Sequence, residues 1–338
     1  MKGVRAMKTL YIVTGAYGHL GNVVVRLLAK RGEWVRGLAL PGDPAVSLPD
    51  GVEVIRGDVC CPASLHPLFE TEEPCRRVVI HAAGIVSIAS KYQQKVWDVN
   101  VGGTANLLAF CRQYGVEKMV YVSSVHAIPE RPEGQVVVET DHFDPDLVEG
   151  LYAKTKAEAT ALVLEAAKDG LPAVVVQPSG IVGPWDFGHG HLNALVADCA
   201  RGKLLAGVEG GYDFVDVRDV AAGVVAAADR GRVGECYILA NRYFTVQEFL
   251  ERCHLATGCK PIRHTLPLWF ARATAPLSEI YYKIRKAPPL YTRYSLYTLE
   301  TNAVFSWQKA ADELGYRPRP MEETLRDTVH FMRVQGRF

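Results

Sequence analysis

Thr14-Gly15-Ala16-Tyr17-Gly18-His19-Leu20-Gly21 decides the fold. It reads GxxGxxG and follows an apolar run at 9–13, TLYIV. Behind it, residues 20–30 place Leu20, Val23, Val24, Leu27 and Leu28 at helical spacing, with Gly32 just beyond as a stop. A strand, a glycine turn and a helix in that order suit a phosphate. Gly15 and Gly18 let the backbone turn tightly and approach a pyrophosphate, and Gly21 lets helix and strand pack closely. The helix N-terminus adds free N–H groups and partial positive charge. The whole turn, Tyr17, His19 and Leu20 included, is therefore the candidate dinucleotide site. The competing reading is a glycine-rich connection that binds nothing; its place in a strand–turn–helix at the chain start favours binding.

Outward from this turn, short apolar runs recur at 34–40, 52–55, 77–84, 118–124 and 172–180. Helix-like stretches separate most of them, notably 93–113 and 149–168. The runs are apolar throughout rather than alternating, as strands buried on both faces require. They predict an α/β chain with a doubly wound parallel sheet. After about residue 184 the pattern is less regular, although 212–240 still reads as helix then strand. Beyond 241 it is mostly helices and loops, so a smaller, mostly helical C-terminal part is expected.

The chain has 338 residues, 49% of them hydrophobic and 22% charged, which is enough to bury a large core without staples. The net charge of +1 gives no general drive toward nucleic acid or anionic membrane. None of the eight cysteines forms a CxxC pair, and several lie in apolar runs, so they are expected reduced and buried in a cytoplasmic protein. The apolar stretch before Gly15 is too short for a signal peptide, and Met7 could be the natural start. No run of about 20 apolar residues exists, so no integral membrane segment is expected. His189 and His191 could be a metal pair, but no ligand cluster accompanies them, and a loop with no metal is the expectation.

Further candidates sit at the ends of the runs. Asp58 ends the third, where its carboxylate could accept from an adenine amino group while the Val59 N–H binds the ring; a helix cap is the other reading. Ala82, Ala83 and Gly84 end the fourth and leave room for a flat cofactor. No Asp or Glu ends the second run, and no Lys or Arg occurs between Gly37 and Ile55. A 2′-phosphate wants a cation there, so NAD is favoured over NADP.

Ser124 ends the fifth run, and Tyr152-Ala153-Lys154-Thr155-Lys156 opens the next long helix. YxxxK occurs three times in the chain, but only Tyr152 follows the serine strand and begins a helix packed on the sheet. At i, i+4 both side chains emerge on one face. Reducing a ketone needs a hydride on carbon and a proton on oxygen. Tyr152 can give the proton if a nearby Lys156 ammonium lowers its pKa, and Ser124 can fix the carbonyl oxygen beside it. The same lysine can hold the nicotinamide ribose. A surface Tyr–Lys pair with a strand-end serine is the competing reading.

With these motifs the chain resembles the extended short-chain dehydrogenases/reductases of the NAD-dependent epimerase/dehydratase superfamily. It is most similar to the branch of dihydroflavonol reductases and 3β-hydroxysteroid dehydrogenases. Besides TGAYGHLG, GDV, HAAG, YVSS and YAKTK, the resemblance rests on VNVGGTANL at 99–107, QPSGIVGP at 177–184, FVDVRDVA at 214–221 and LGYRPRP at 314–320. It implies a Rossmann strand order of 3-2-1-4-5-6-7, a homodimer built on two helices per subunit, Asn100 near the cofactor, and Pro178 and Ile181 beside the nicotinamide. It also divides the chain into a cofactor part at 7–184, to which 212–240 returns, and a substrate part at 185–211 and 241–338.

Departures narrow the substrate. Val125-His126 stand where sugar dehydratases carry Asp-Glu, and Tyr212-Asp213 where epimerases carry Arg–Asp. Loss of that arginine removes a diphosphate partner. The expected activity is hydride transfer to or from a bulky, hydrophobic, steroid- or flavonoid-like carbonyl or alcohol, with His126, Trp185, Phe187 and Tyr212 as candidate substrate contacts. A nucleotide-sugar epimerase and a non-catalytic dinucleotide sensor are the alternatives. Residues 266–286, rich in aromatics and ending in Lys283, Arg285 and Lys286, could form a pocket lid or a membrane-touching helix. Asp219 is expected to cap a helix at 220–229.

Overall fold

The computed structural model describes residues 7–87, 92–188, 190–274 and 293–338. The first half alternates strand and helix: β1 (Thr9–Thr14), α1 (His19–Lys30), β2 (Trp34–Ala39), β3 (Glu53–Arg56), the short α2 (His66–Phe69), β4 (Arg76–His81), α3 (Gln94–Trp97), α4 (Gly103–Gln113), β5 (Lys118–Val122), α5 (Leu151–Lys168) and β6 (Ala173–Pro178). Then follow β7 (Gly180–Val182), α6 (His191–Ala200), β8 (Gly207–Val208), β9 (Gly211–Asp216), α7 (Val217–Arg230), β10 (Cys236–Leu239), β11 (Arg242–Thr245), α8 (Val246–Thr257) and β12 (Thr265–Leu266). Three helices end the described chain, at Arg293–Glu300, Gln308–Leu314 and Met321–Val334.

Seven strands form one sheet in the order β3-β2-β1-β4-β5-β6-β10. Every pairing in it is parallel. This is the doubly wound Rossmann sheet that the apolar runs predict. The central strands feed both cores: in β1, Leu10 and Ile12 join Leu107 and Val163 on one face, while Tyr11 and Val13 join Val24 and Val224 on the other. A second sheet, β11-β9-β7, branches from the end of β6, and β8 pairs with β12.

The glycine turn holds its shape through contacts that leave no room for a side chain. A Cβ on Gly21 would fall 2.1 Å from the Gly15 carbonyl oxygen. Gly15 itself has φ +69°, and a Cβ there would meet the Ala83 nitrogen at 2.9 Å. So α1 sits hard against the turn, and the turn against the end of β4.

Three readings are corrected. The stretch 93–113 is not one regular helix, because a π-helical turn at Asp98–Gly102 joins α3 to α4. Asp219 is no cap: α7 begins earlier, at Val217, and Asp216 caps it by accepting from the Arg218 N–H. Cys60 and Cys61 are exposed rather than buried, since they lie in the loop after β3 and outside any apolar run.

Asp219 instead joins an ionic network. Arg319 donates to it from Nε and Nη2 at 2.9 and 2.7 Å, and to Glu323 at 3.0 Å. Arg218 bridges the fully buried Asp216, at 2.7 Å, to Asp327 at 2.6 Å. The two motifs FVDVRDVA and LGYRPRP are thus one structural unit that ties the C-terminal helix to α7. Arg319→Ala would leave Asp219 short of its partner in a half-buried site. It is expected to lower stability by about 2 kcal/mol, measured by urea unfolding.

Candidate active site

The site lies where β1, β4 and β5 end. No side chain caps α1 at Gly18 and no acidic residue stands in its first turn, so its N–H groups are free to meet an anion. His19 donates from Nε2 to the Pro184 carbonyl at 3.0 Å, and Asn22 to the Trp185 carbonyl at 3.2 Å. The loop after β7 therefore docks beside the glycine turn. Trp185 takes φ +61°, a conformation a bulky residue adopts only when its surroundings enforce it. A side-chain-free cradle with an uncapped helix end fits a dinucleotide diphosphate.

Below the cradle runs a buried chain of hydrogen bonds. The Thr104 hydroxyl donates to the Asn100 carbonyl at 2.6 Å, so its oxygen accepts from His81 Nε2 at 3.0 Å. His81 Nδ1 then accepts from the Thr14 hydroxyl at 2.7 Å, and Thr14 accepts from the Ala83 N–H at 3.1 Å. Every proton has one place, and His81 must be neutral. Burial agrees, pushing its pKa down to about 3.

Asn100 carries the connection onward. Its amide exchanges hydrogen bonds with the Ile85 backbone at 2.8 and 3.1 Å and donates to Thr155 at 3.0 Å. Thr155 in turn donates to the Tyr152 carbonyl at 2.9 Å. Asn100 is therefore built into the support of the helix that carries Tyr152 and Lys156, and it lies in the π-helical turn. A Cβ on Gly84 would lie 3.2 Å from Asn100 Oδ1 and 3.5 Å from Lys156 Nζ. The small residue keeps the surface flat above both groups.

Ser124, Tyr152 and Lys156 converge there, all buried. Burial pushes Tyr152 up to about 12, against a hydrogen bond with Ser124 that pulls it down. Burial also brings Lys156 down to about 7. Lys156 donates to the Val122 carbonyl at 2.7 Å and lies 3.5 Å from the Tyr121 hydroxyl. The expectation that Lys156 lowers the Tyr152 pKa therefore differs from this geometry: burial raises Tyr152, and the Lys156 amine donates to a carbonyl instead. Tyr152 stands as a protonated phenol at neutral pH.

Beyond Tyr152 lies a cavity walled by His126, Tyr212, Tyr294, Phe305, Val137 and Val148. His126 stacks on Tyr212 and shares a hydrogen bond with it at 3.0 Å, and its ring meets Tyr152 edge-on at 5.9 Å between centroids. Tyr294 is 9% exposed, and among the described residues its hydroxyl has no partner. Its ring rests on Gly150, where a Cβ would come within 2.2 Å of it. Gly150, at φ +91°, immediately precedes α5. Sequence reasoning missed both residues. Gly150 left a signal, a glycine at the head of the YAKTK helix; Tyr294 left none, because a distant segment supplies it.

Other candidates fall elsewhere. Trp185 and Phe187 do not wall this cavity; Phe187 packs edge-to-face on Phe331 of the last helix. Pro178 ends β6 and Ile181 lies in β7, at the branch between the two sheets. Asp58 Oδ1 accepts from the Cys60 N–H at 2.9 Å, which makes a local turn rather than a helix cap. Val59 packs against Gly103 at the start of α4. At the end of β3, Arg56 lies over the Tyr17 ring at 4.8 Å and donates to the Leu40 and Asp43 carbonyls at 2.9 and 3.0 Å. It stands one residue past the cation-free stretch. Arg36 is occupied by Glu53 and by three carbonyls between Pro67 and Glu70. His189 and residues 275–286 of the aromatic segment lie outside the described residues.

The family described as "NAD dependent epimerase/dehydratase family" matches residues 11–240. "Sterol demethylase protein B" of Methylococcus capsulatus is 32% identical over 96% of this chain and 98% of its own length. A "putative dihydroflavonol 4-reductase" of Synechocystis is 30% identical over 98% of this chain and 96% of its own. The crystal structure of a Thermus thermophilus UDP-glucose 4-epimerase in complex with NAD superposes with a TM-score of 0.73 at 25% identity, covering 96% of this chain and 99% of that one.

Two buried neutral histidines make the site acid-sensitive. Burial pushes His81 down to about 3 and His126 to about 4, whereas an unfolded histidine titrates near 6.5. Folded pKa values below the unfolded one contribute stability that is whole above about pH 6.5 and is lost as pH falls toward the folded values. Urea unfolding at stepped pH should show stability falling below pH 6.5, by up to about 1.4 kcal/mol per pH unit for each histidine. His126→Asn should remove part of that slope.

Proposed function

The chain belongs to the NAD dependent epimerase/dehydratase family, and from that premise we propose that it is an NAD(P)-dependent oxidoreductase. It transfers a hydride between the nicotinamide and a secondary alcohol or ketone of a bulky, hydrophobic, steroid- or flavonoid-like substrate. One observation carries the substrate class: aromatic and aliphatic side chains form most of the wall of the cavity next to Tyr152, and among the described residues no Lys or Arg lines it. Glu130 and Glu149 stand there instead. A sugar diphosphate needs cations or N–H groups for its phosphates and would meet carboxylates. A flat apolar ring system suits such walls. The names of the sterol and dihydroflavonol relatives support the same class.

In this reading the glycine turn Gly15–Gly21, with Tyr17, His19 and Leu20, cradles the diphosphate. Asp58 and Val59 border the adenine, and Ala82, Ala83, Gly84, Asn100, Pro178 and Ile181 border the rest of the cofactor. When bound, the nicotinamide supplies or accepts the hydride. Ser124 donates to the substrate oxygen and holds it beside Tyr152. Tyr152, protonated at neutral pH, gives its phenolic proton to that oxygen as the carbonyl carbon is reduced. Lys156 holds the ribose. His126 and Tyr212 orient the substrate. Residues 7–184 and 212–240 serve the cofactor, and 185–211 and 241–338 the substrate. A homodimer through two helices per subunit, in the cytoplasm, belongs to the same proposal.

Tyr152→Phe keeps the ring and so the packing. It should lower turnover of a steroid or flavonoid carbonyl by about 10²–10⁴-fold while the coenzyme still binds, read from nicotinamide absorbance and fluorescence titration. UDP-glucose and UDP-galactose should show neither epimerisation nor saturable binding at millimolar concentration. Interconversion of either sugar would replace this reading with an epimerase.

NADH should bind more tightly than NADPH, since the end of β2 carries no cation and Arg56 is committed to two carbonyls. Arg56→Ala should leave the preference in place. A preference for NADPH that disappears in this variant would assign Arg56 to the 2′-phosphate.

A further inference from the structure

Three cysteines meet where α6 packs on α8, away from the cavity beside Tyr152. Cys199 lies in the last turn of α6, Cys253 inside α8, and Cys259 just past Gly258, the left-handed residue that ends α8. Cys199 Sγ lies 3.3 Å from Cys259 Sγ, and all three are free thiols. Cys199 and Cys253 are 1% and 0% exposed, whereas Cys259 is only half-buried. The cluster has unequal members: two sheltered sulfurs and one that solvent reaches.

We propose that Cys199 and Cys259 form a reversible thiol–disulfide site that hydroperoxides oxidise, with Cys253 as a hydrogen-bonding positioning residue. The contact is already short, and closing it to a bond of about 2.05 Å needs a movement of little more than an ångström. Cys259 can make that movement, because it follows the helix rather than lying in it. Cys253, in mid-helix, cannot.

The electrostatics favour a thiolate in the group. A hydrogen bond from Cys253, opposed by burial and helped by one from Cys259 and by nearby His254, pulls Cys199 down to about 6, while burial raises Cys259. His254 Nδ1 also bonds the Cys259 carbonyl at 2.5 Å, which holds the loop in place. Cys60, by contrast, is pushed up to about 11 by burial and by Asp58, although it lies on the surface. What sets Cys259 apart from Cys60 is the sulfur partner 3.3 Å away that carries a lowered pKa.

The chemistry balances. Thiol–thiolate exchange across the contact passes the Cys259 proton to the Cys199 thiolate in a minor share of molecules, and the accessible Cys259 thiolate of that share is the one that meets peroxide. That sulfur attacks one peroxide oxygen, the O–O bond breaks, and the departing oxygen takes up a proton as water or alcohol. Cys259 is now a sulfenic acid. The Cys199 sulfur attacks it, forms the S–S bond and releases the second oxygen as water with the remaining thiol proton. Two thiols and one hydroperoxide give one disulfide, one water and one water or alcohol; each sulfur loses one electron and the peroxide gains two. Reduction by a dithiol reverses it.

Stoichiometric hydrogen peroxide, followed by alkylation and peptide mapping without reductant, tests the proposal on the full-length protein. The expected product is a peptide pair joined through Cys199 and Cys259 that dithiothreitol separates. Cys259→Ser should abolish it. Cys253→Ala should slow its formation several-fold and move the pH midpoint of Cys199 and Cys259 alkylation upward, which a merely structural role for Cys253 would not do. Cys199→Ser, with its fold checked by circular dichroism, should leave Cys259 as a sulfenic acid that dimedone traps. The proposal is overturned if Cys60 or Cys61 oxidises while Cys199 and Cys259 both stay alkylatable. It is equally overturned if the linked pair joins Cys199 to Cys253.

Discussion

A single buried line of hydrogen bonds runs from the Ala83 N–H through Thr14, His81 and Thr104 to the Asn100 carbonyl. It binds the ends of β1 and β4 to the π-helical turn. The Asn100 side chain then extends it through Thr155 to the backbone of Tyr152. The glycine turn rests on one end of this line and the Tyr152 helix on the other. It works because every group in it has one donor role and one acceptor role, and because the histidine stays neutral. A charged His81 would have two donors and no acceptor, and the Thr14 proton would lose its place.

The same economy of protons separates the two sides of the site. On the cofactor side, backbone N–H groups and glycines present polarity without side chains, which suits an anion that must come close to the chain. On the cavity side, rings and aliphatic groups form most of the wall, and its polar members are the Glu130 and Glu149 carboxylates, the Asn302 amide, hydroxyls and one imidazole. Burial there raises Tyr152 and lowers Lys156 and His126, so each is driven toward its neutral form. A neutral phenol is the form that can give a proton to a substrate oxygen. The neutral forms of Tyr152, Lys156 and His126 have a common cause in burial.

The C-terminal helices hold this arrangement from outside. Arg319 and Arg218 fasten the last helix and its approach to α7, and Tyr294 lays its ring on Gly150 at the head of α5. The loop after β7 leans on α1 through His19 and Asn22. Glycine turn, Tyr152 helix and cavity wall are thus each contacted by a segment from the second half of the chain.

The sequence by itself determined the sheet, the glycine turn and the grouping of Ser124, Tyr152 and Lys156. Their signals are local: two-sided burial makes a strand apolar throughout, a close backbone approach demands glycine, and a one-face pair needs four-residue spacing. Local signals also misled, where Asp219 looked like a cap because the true cap, Asp216, lies only three residues earlier in the same acidic motif. Tertiary structure alone decided the rest. The 93–113 stretch turned into a π-helical bend because Asn100 must reach both Ile85 and Thr155. Tyr294, Arg56 and the Cys199–Cys259 contact became visible only when segments far apart in the chain met. Side-chain type and spacing report what a residue does to its own helix or strand. What faces a pocket, how far a buried group's pKa moves and which sulfurs touch depend on neighbours that the fold brings in from elsewhere.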